Sequence, residues 1–266
     1  MSASTRERRA AGDKRRMSIG RHLIELRKRL SRAAIGVLGG AVAGWFLSVL
    51  AWDQLREPIL AIARSHHASI NYTSISGAFD VRMQVAIMIG VVVSSPIWLY
   101  QIFAFLVPGL KSREKRYTFG FVFTAIPLFL AGCAAGWLVL PHIVELMASF
   151  VPNQDSSFFD AKYYLDFVLK LILATGVAFV LPVFLVLLNF AGVLSARTIL
   201  NGWRWAILAI TLFTAIATPA ADVVSMFLLA IPMVGLYFGA VLVAWWHDWR
   251  VRRRADEASN SALWNV

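Results

Sequence analysis

Six long stretches of the sequence contain no Asp, Glu, Lys or Arg. A helix rises about 1.5 Å per residue and needs about 20 apolar residues to cross the hydrocarbon core of a membrane. Five stretches reach that length, and the fifth in order, with 17 residues, needs a thin bilayer or neighbouring helices. The pattern predicts an all-α integral membrane protein with six spans. They lie at about residues 33–52, 83–107, 117–141, 163–190, 205–221 and 223–246.

Polar segments at the two ends and one amphipathic stretch complete the predicted organisation. Residues 1–17 are basic and form a predicted disordered tail, residues 18–249 form a single membrane domain, and residues 250–266 form a C-terminal tail. Apolar residues recur at helical spacing from Ile19 to Leu30, with charged residues on another face. This pattern predicts a short helix that lies on the cytoplasmic membrane surface before the chain turns into the first span.

Prolines and polar connections shape the predicted spans. Spans two, three, four and six each contain a proline, and in lipid each proline removes a backbone hydrogen bond that neighbouring groups must restore. Pro96, which follows Ser94 and Ser95, is expected to break span two. Hydrophilic outer connections are expected at about residues 53–80 and 145–162. The repeated kinks favour curved helices packed as one unit.

Composition excludes a soluble protein, and the placement of charge orients the chain. Only 15% of the residues are charged and 59% are apolar, whereas soluble domains carry about 25% charged residues. The net charge is +11, and 21 of the 26 basic residues lie before span one, between spans two and three, between spans four and five, or after span six. By the positive-inside rule these segments face the cytoplasm, so both termini are predicted there. The basic tails are interpreted as membrane-anchoring flanks rather than nucleic-acid-binding arms.

The charge-free stretches contain no acidic residue, which weakens a transporter interpretation. Asp, Glu or His inside a membrane normally marks an ion or proton pathway. The sequence also has no HExxH motif, Walker loop or GxSxG elbow, so no catalytic residue, metal site or cofactor is predicted. A small-molecule secondary transporter stays open as the alternative function. A membrane-embedded enzyme has only the adjacent pair His66 and His67 as a starting point.

Glu25 and Glu114 are isolated acids in basic segments of the predicted cytoplasmic face. One interpretation is charge balance, in which Glu25 pairs with Arg21 or Arg29 one helical turn away, and Glu114 pairs with its basic neighbours. The other is that two carboxylates at one membrane surface form a receptor for a cationic peptide. A purely structural scaffold would leave the placement of these two acids unexplained.

Five segments of the chain resemble TatC, the receptor subunit of the twin-arginine protein translocase. They occur in the order typical of that family and extend over about residues 18–233. The segments are His22–Leu30, Tyr100–Leu110 with the trailing Glu114–Arg116, Gly176–Phe179 followed by Pro182, Thr218 and Pro219 with Asp222, and Leu229–Met233.

The resemblance implies a receptor and translocase component that is not an enzyme, with six helices arranged as a concave, glove-shaped bundle. By motif position, Glu25 and Glu114 are the acidic contacts for the paired arginines of a folded cargo protein's signal peptide, and Arg27 belongs to the same site. The remaining matched positions serve structure or coupling to partner subunits in that family. These positions are Pro58, Pro96, Phe105 and Asp222.

The resemblance also implies the setting in which the protein works. It predicts a bacterial cell membrane, TatB-like and TatA-like single-span partners, and transport driven by the proton-motive force. The chain departs from the family pattern at Val180, where many members carry a polar, usually acidic, residue just ahead of the proline that matches Pro182. A role for a membrane-embedded carboxylate at that position therefore does not transfer. Asp222 also has a structural interpretation, as the N-terminal cap of span six.

Overall fold

The computed structural model describes residues 19–66, 69–106, 115–150, 158–219 and 222–263. These residues form eight helices and two three-residue strands, which confirms the predicted all-α class. In chain order the elements are α1 (Ile19–His66), β1 (Ser69–Asn71), α2 (Gly77–Val93), α3 (Ser95–Leu106), α4 (Lys115–Ser149), β2 (Phe158–Asp160), α5 (Ala161–Phe190), α6 (Ala196–Asn201), α7 (Trp203–Ala217) and α8 (Val223–Leu263).

Four helices of the described part are long and apolar enough to cross a membrane, namely α1, α4, α5 and α8. Helices α2 and α3 pass the same test as a pair, which makes five candidate spans if the bent pair counts as one. Helix α7 has 15 residues and is only about 22 Å long at 1.5 Å per residue, so it is the short fifth stretch of the sequence. The protein is thus a multi-pass helical membrane protein, and the count of six spans stays a prediction.

The break expected in span two lies where the sequence predicted it. Helix α2 ends at Val93, α3 begins at Ser95, and the two axes are bent by 57°. Pro96 is the second residue of α3, where its missing N–H removes no intrahelical hydrogen bond. The indole Nε1 of Trp98 donates to the carbonyl oxygen of Val91 at 2.9 Å, which fixes the two helices across the break.

Helix α1 differs from its prediction at both ends. It is one continuous helix of 48 residues, roughly 70 Å long, so the expected turn between a surface helix and the first span is absent from it. The loop predicted from Asp53 is also wrong as far as His66, because the helix continues. Leu55 and Ile59 are buried there, and the Tyr164 hydroxyl donates to the Leu55 carbonyl oxygen at 2.7 Å. Burial of these two side chains and the hydrogen bond from α5 therefore stabilise a segment whose sequence looks polar.

Helices α1 and α2 cross at glycines. A Cβ on Gly40 would lie 2.7 Å from the carbonyl oxygen of Gly90, and a Cβ on Gly90 would lie 2.6 Å from the backbone nitrogen of Ala41. Both contacts are with backbone atoms, so no flexible side chain could move aside. Small residues on both surfaces let the two backbones touch, as is common between membrane helices.

Helices α4 and α5 make a second close crossing. A Cβ on Gly132 would lie 2.6 Å from the Thr175 carbonyl oxygen, and a Cβ on Gly176 would lie 2.6 Å from the Cys133 Sγ. The buried Thr175 hydroxyl lies 3.0 Å from the Gly132 carbonyl oxygen and 2.8 Å from that of Leu171. The crossing is therefore tight, and the Thr175 hydroxyl within it is hydrogen-bonded. An unsatisfied hydroxyl inside a membrane would cost free energy.

The two long connections on the predicted outer side are joined by a pair of strands that the sequence did not predict. Strands β1 and β2 run parallel, with Ser69 opposite Phe158 and Asn71 opposite Asp160. The Asp160 carboxylate then caps α5 by accepting from the backbone N–H groups of Lys162 and Tyr163. This pairing brings together segments almost 90 residues apart in the chain.

Candidate functional site

Glu25 forms an ion pair within α1. Its Oε1 accepts from Arg29 Nη2 at 2.6 Å and from Arg29 Nε at 3.0 Å, so two of the three guanidinium nitrogens reach the same carboxylate oxygen. The two side chains are about one quarter exposed. The charge-balance interpretation of Glu25 is confirmed in this respect, and the carboxylate nevertheless remains accessible from the surface.

Arg27 lies on a different side of α1. It is exposed and lines a shallow groove of about 490 Å³ together with Ile24, Lys28, Ser31 and Arg32. Residues two apart on a helix point in nearly opposite directions, and Glu25 does not line this groove. The structure therefore places Arg27 beside Glu25 along the chain without bringing the two side chains together.

Glu114 lies outside the described residues, in the segment between α3 and α4. Phe105 is half-buried in the last full turn of α3 before that segment, and α4 begins at Lys115. Pro58 falls within the continuous helix α1. The grouping of Glu25 with Glu114 stays a prediction.

Asp222 caps helix α8, as the structural interpretation predicted. Its Oδ1 accepts from the backbone N–H of Ser225 at 2.9 Å, and its side chain is fully buried. His142 of α4 approaches the same oxygen, with Nε2 at 4.0 Å. Among the described residues, Asp222 Oδ2 has no hydrogen-bond partner. The cap is confirmed, and a separate functional role for this carboxylate stays a prediction.

Val180 is buried in the main hydrophobic core, with 2% of its surface exposed. The position therefore presents an aliphatic side chain to its neighbours. The nearest described hydroxyl along α5 is that of Thr175, which is engaged by backbone carbonyl oxygens at the α4–α5 crossing. At Val180, α5 therefore presents a buried aliphatic side chain to the core.

A polar junction at the other end of α5 was missed by the sequence reasoning. The Asp248 carboxylate accepts from Asn189 Nδ2 at 2.9 Å and from the Ala196 backbone N–H at 2.8 Å. It thereby connects α5, α6 and α8. The sequence signal for this junction was an acid two residues after the apolar run that ends at Trp246. An acid so close to the membrane needs hydrogen-bond partners.

Comparisons with known proteins place the chain among protein translocase subunits. The family model of the Sec-independent protein translocase protein TatC matches residues 21–232. A TatC protein of Xylanimonas cellulosilytica is 46% identical over 94% of this chain and 91% of its own length, and one of Rothia mucilaginosa is 35% identical over 92% and 87%. The fold is similar to a crystal structure of the twin arginine translocase receptor TatC in DDM, with a TM-score of 0.72 and 29% identity over 84% of this chain and 99% of that chain.

Proposed function

Since this chain belongs to the TatC family of Sec-independent protein translocase proteins, we propose that it binds the Arg-Arg signal peptides of folded proteins for export. Family membership makes it a non-enzymatic, multi-pass component of the twin-arginine translocase that works with other subunits. The binding site lies at the cytoplasmic face, at the start of α1, and combines Glu25 with Glu114 and with Arg27. A small-molecule transporter is not favoured by this family assignment.

One observation carries this proposal: the Glu25 carboxylate already binds a guanidinium, that of Arg29, and only through Oε1 among the described groups. An ion pair of this kind between residues four apart contributes only about 0.3–0.5 kcal/mol. A charge-assisted hydrogen bond from a signal-peptide arginine contributes about 1.5–3 kcal/mol once the bound peptide excludes water from the contact. An incoming arginine can therefore replace Arg29 or bind the second carboxylate oxygen with little loss.

A carboxylate site of this kind is expected to prefer arginine over lysine. A guanidinium presents two parallel N–H groups to a carboxylate, whereas an ammonium offers a single point charge. Arg27 takes part through its own groove on a different side of α1, away from the Glu25 carboxylate. Lys28 and Arg32 in that groove repel a cationic peptide, so anionic lipid around the helix is expected to offset them.

Several further features belong to the same proposal. Both termini face the cytoplasm of a bacterial cell, and six spans of one domain cross its membrane. The partners are TatB-like and TatA-like subunits, and the proton-motive force is the energy source. Pro58, Pro96, Phe105 and Asp222 serve structure or coupling to those partners. The described structure supports a structural role for Pro96 at the α2–α3 bend and for Asp222 at the α8 cap.

The test is the affinity of a twin-arginine signal peptide for the full-length protein in nanodiscs. Glu25→Gln and Glu114→Gln are each expected to weaken binding roughly tenfold or more, since about 1.4 kcal/mol corresponds to a factor of ten. A twin-lysine peptide is expected to bind poorly to the wild type. Arg29→Gln is expected to bind the arginine peptide at least as tightly as the wild type, because it removes the internal competitor.

Asp53→Asn provides the matched control. Asp53 forms a similar ion pair with Arg56 on the same helix, at 2.7 Å, and the substitution changes net charge by the same amount as Glu25→Gln. The control is expected to bind like the wild type. Equal affinities for Glu25→Gln, Asp53→Asn and the wild type would show that Glu25 only balances charge, and the proposed site would be wrong.

A further inference from the structure

Helices α4, α5 and α8 enclose an apolar groove of about 950 Å³, which is separate from the start of α1. This volume is near the upper end of the range of about 300–1,000 Å³ for small-molecule sites. Among the described residues that line the groove, Thr124 has the one polar side chain, and its hydroxyl donates to the Gly120 carbonyl oxygen at 2.9 Å. The groove therefore offers hydrophobic surface and no unsatisfied side-chain polar group.

The groove lies beyond the close crossing of α4 and α5, and two glycines leave part of it open. At that crossing a Cβ on Gly132 or Gly176 would collide with the other helix. Gly120 and Gly239 line the groove, and a Cβ on either would meet no atom within 4 Å. The helices are thus in tight contact at one level of the membrane and leave open space at the level of Gly120.

One end of the groove is bordered by stacked rings, and beyond it the same face of α8 carries the cation of Arg250. The Phe190 ring, which lines the groove, stacks on His247 with centroids 3.8 Å apart. Gly239 and Val243 line the groove from α8, and residues at helical spacing continue that face to Arg250. Arg250 is exposed, with its guanidinium carbon 3.7 Å from the centroid of the Trp246 ring.

No described carboxylate neutralises Arg250. The nearest acid along α8, Asp248, is engaged by Asn189 and by the Ala196 backbone N–H. Tryptophan side chains settle at the level of lipid headgroups, so Trp246 holds the guanidinium at the height of a phosphate. An apolar groove that ends at a cation in the headgroup region matches a molecule with acyl chains and an anionic head.

We propose that the α4–α5–α8 groove binds an anionic phospholipid, with its acyl chains against Gly120, Pro182 and Gly239 and its phosphate on Arg250. A guanidinium binds phosphate oxygens in a bidentate manner. Basic positions between membrane helices on the cytoplasmic side select anionic headgroups. A zwitterionic lipid fills the groove equally well, but its own cation is repelled by Arg253 and Arg254, which are exposed one turn further along α8.

The test is native mass spectrometry of the full-length protein in detergent, with phosphatidylglycerol and phosphatidylcholine of identical chains. The wild type is expected to retain phosphatidylglycerol about fivefold better, as about 1 kcal/mol per surface arginine implies. Arg250→Gln is expected to abolish that preference without lowering phosphatidylcholine binding. Arg204→Gln is the matched control, because the Arg204 guanidinium carbon lies 5.6 Å from the centroid of the Trp203 ring on α7, away from the groove. This control variant is expected to bind both lipids like the wild type.

Gly239→Leu tests the groove itself. The new side chain enters the open space and is expected to reduce retention of both lipids at least fivefold. Gly235→Leu is its control, because a Cβ there also meets nothing and Gly235 does not line the groove. Equal retention of the two lipids by the wild type, equal effects of the Arg250 and Arg204 variants, or full retention by Gly239→Leu would each overturn the proposal. Loss of a co-purified single-span subunit from Gly239→Leu, with lipid retained, would assign the groove to a protein helix instead.

Discussion

Two adjacent glycines of α1 make the packing of α1 against α2 testable. A Cβ on Gly40 would lie 2.7 Å from the Gly90 carbonyl oxygen and 3.0 Å from the Gly90 Cα, whereas a Cβ on Gly39 would meet nothing within 4 Å. Gly40→Ala and Gly39→Ala make the same chemical change one residue apart in the same helix. We expect them to change the stability of the protein in opposite directions.

The magnitude follows from two opposing terms. Replacing Gly by Ala inside a helix favours the helix by about 1 kcal/mol in each variant. At Gly40 the new methyl group must push two backbones apart, and overpacking of this kind costs about 1–3 kcal/mol. The helix term is common to both variants, so their difference isolates the steric cost. At about 2–4 °C per kcal/mol for a chain of this size, Gly40→Ala should unfold roughly 2–12 °C below Gly39→Ala.

The assay is thermal unfolding of the full-length variants in one detergent at one scan rate, because unfolding of a membrane protein is often irreversible and its midpoint then depends on scan rate. Gly39→Ala is expected at or slightly above the wild type. A midpoint for Gly40→Ala equal to or above that of Gly39→Ala would refute the close α1–α2 approach, since no flexible side chain is available to absorb the methyl group.

Two other predictions concern acids at helix starts. Asp222→Asn keeps an oxygen for the Ser225 N–H and should unfold near the wild type, while Asp222→Ala should lose about 1 kcal/mol. If Asp222→Asn is stable but fails in an export assay, the carboxylate has a role beyond the cap, whereas an Asn variant as unstable as the Ala variant would contradict the cap assignment. The Thr73 hydroxyl and the Tyr163 backbone N–H lower the pKa of Asp160. The ionised Asp160 carboxylate therefore stabilises the β1–β2 pairing at pH values above the ordinary carboxyl range. This stabilisation is lost as pH falls through the depressed pKa of Asp160. Thr73→Val should move that loss to higher pH, as measured by hydrogen exchange of the segment around Asn71, and Ser74→Ala is the control. Identical pH profiles for the two variants would show that the Thr73 hydroxyl does not lower the pKa of Asp160.

Several features of the fold could be predicted from the sequence because lipid imposes a local rule. Every backbone polar group in the membrane must be satisfied within its own helix, so an apolar run of sufficient length predicts a helix without reference to its neighbours. Helix α8 begins at Val223 as predicted, α5 begins within two residues of its predicted start, and Pro96 follows the break between α2 and α3. The same local order of motifs, around residues such as Glu25, identified the family.

Features that depend on distant residues could be seen only in the tertiary structure. The continuation of α1 to His66 depends on burial of Leu55 and on its hydrogen bond from Tyr164, more than 100 residues away. The pairing of β1 with β2 and the opening of the α4–α5–α8 groove likewise join segments that are remote in the chain. Such contacts leave no periodic pattern of apolar residues, because each partner alone looks like an ordinary polar loop or apolar helix. The sequence by itself therefore determined the helices and the family, and the packing of distant segments decided how far the helices extend and where the open surfaces lie.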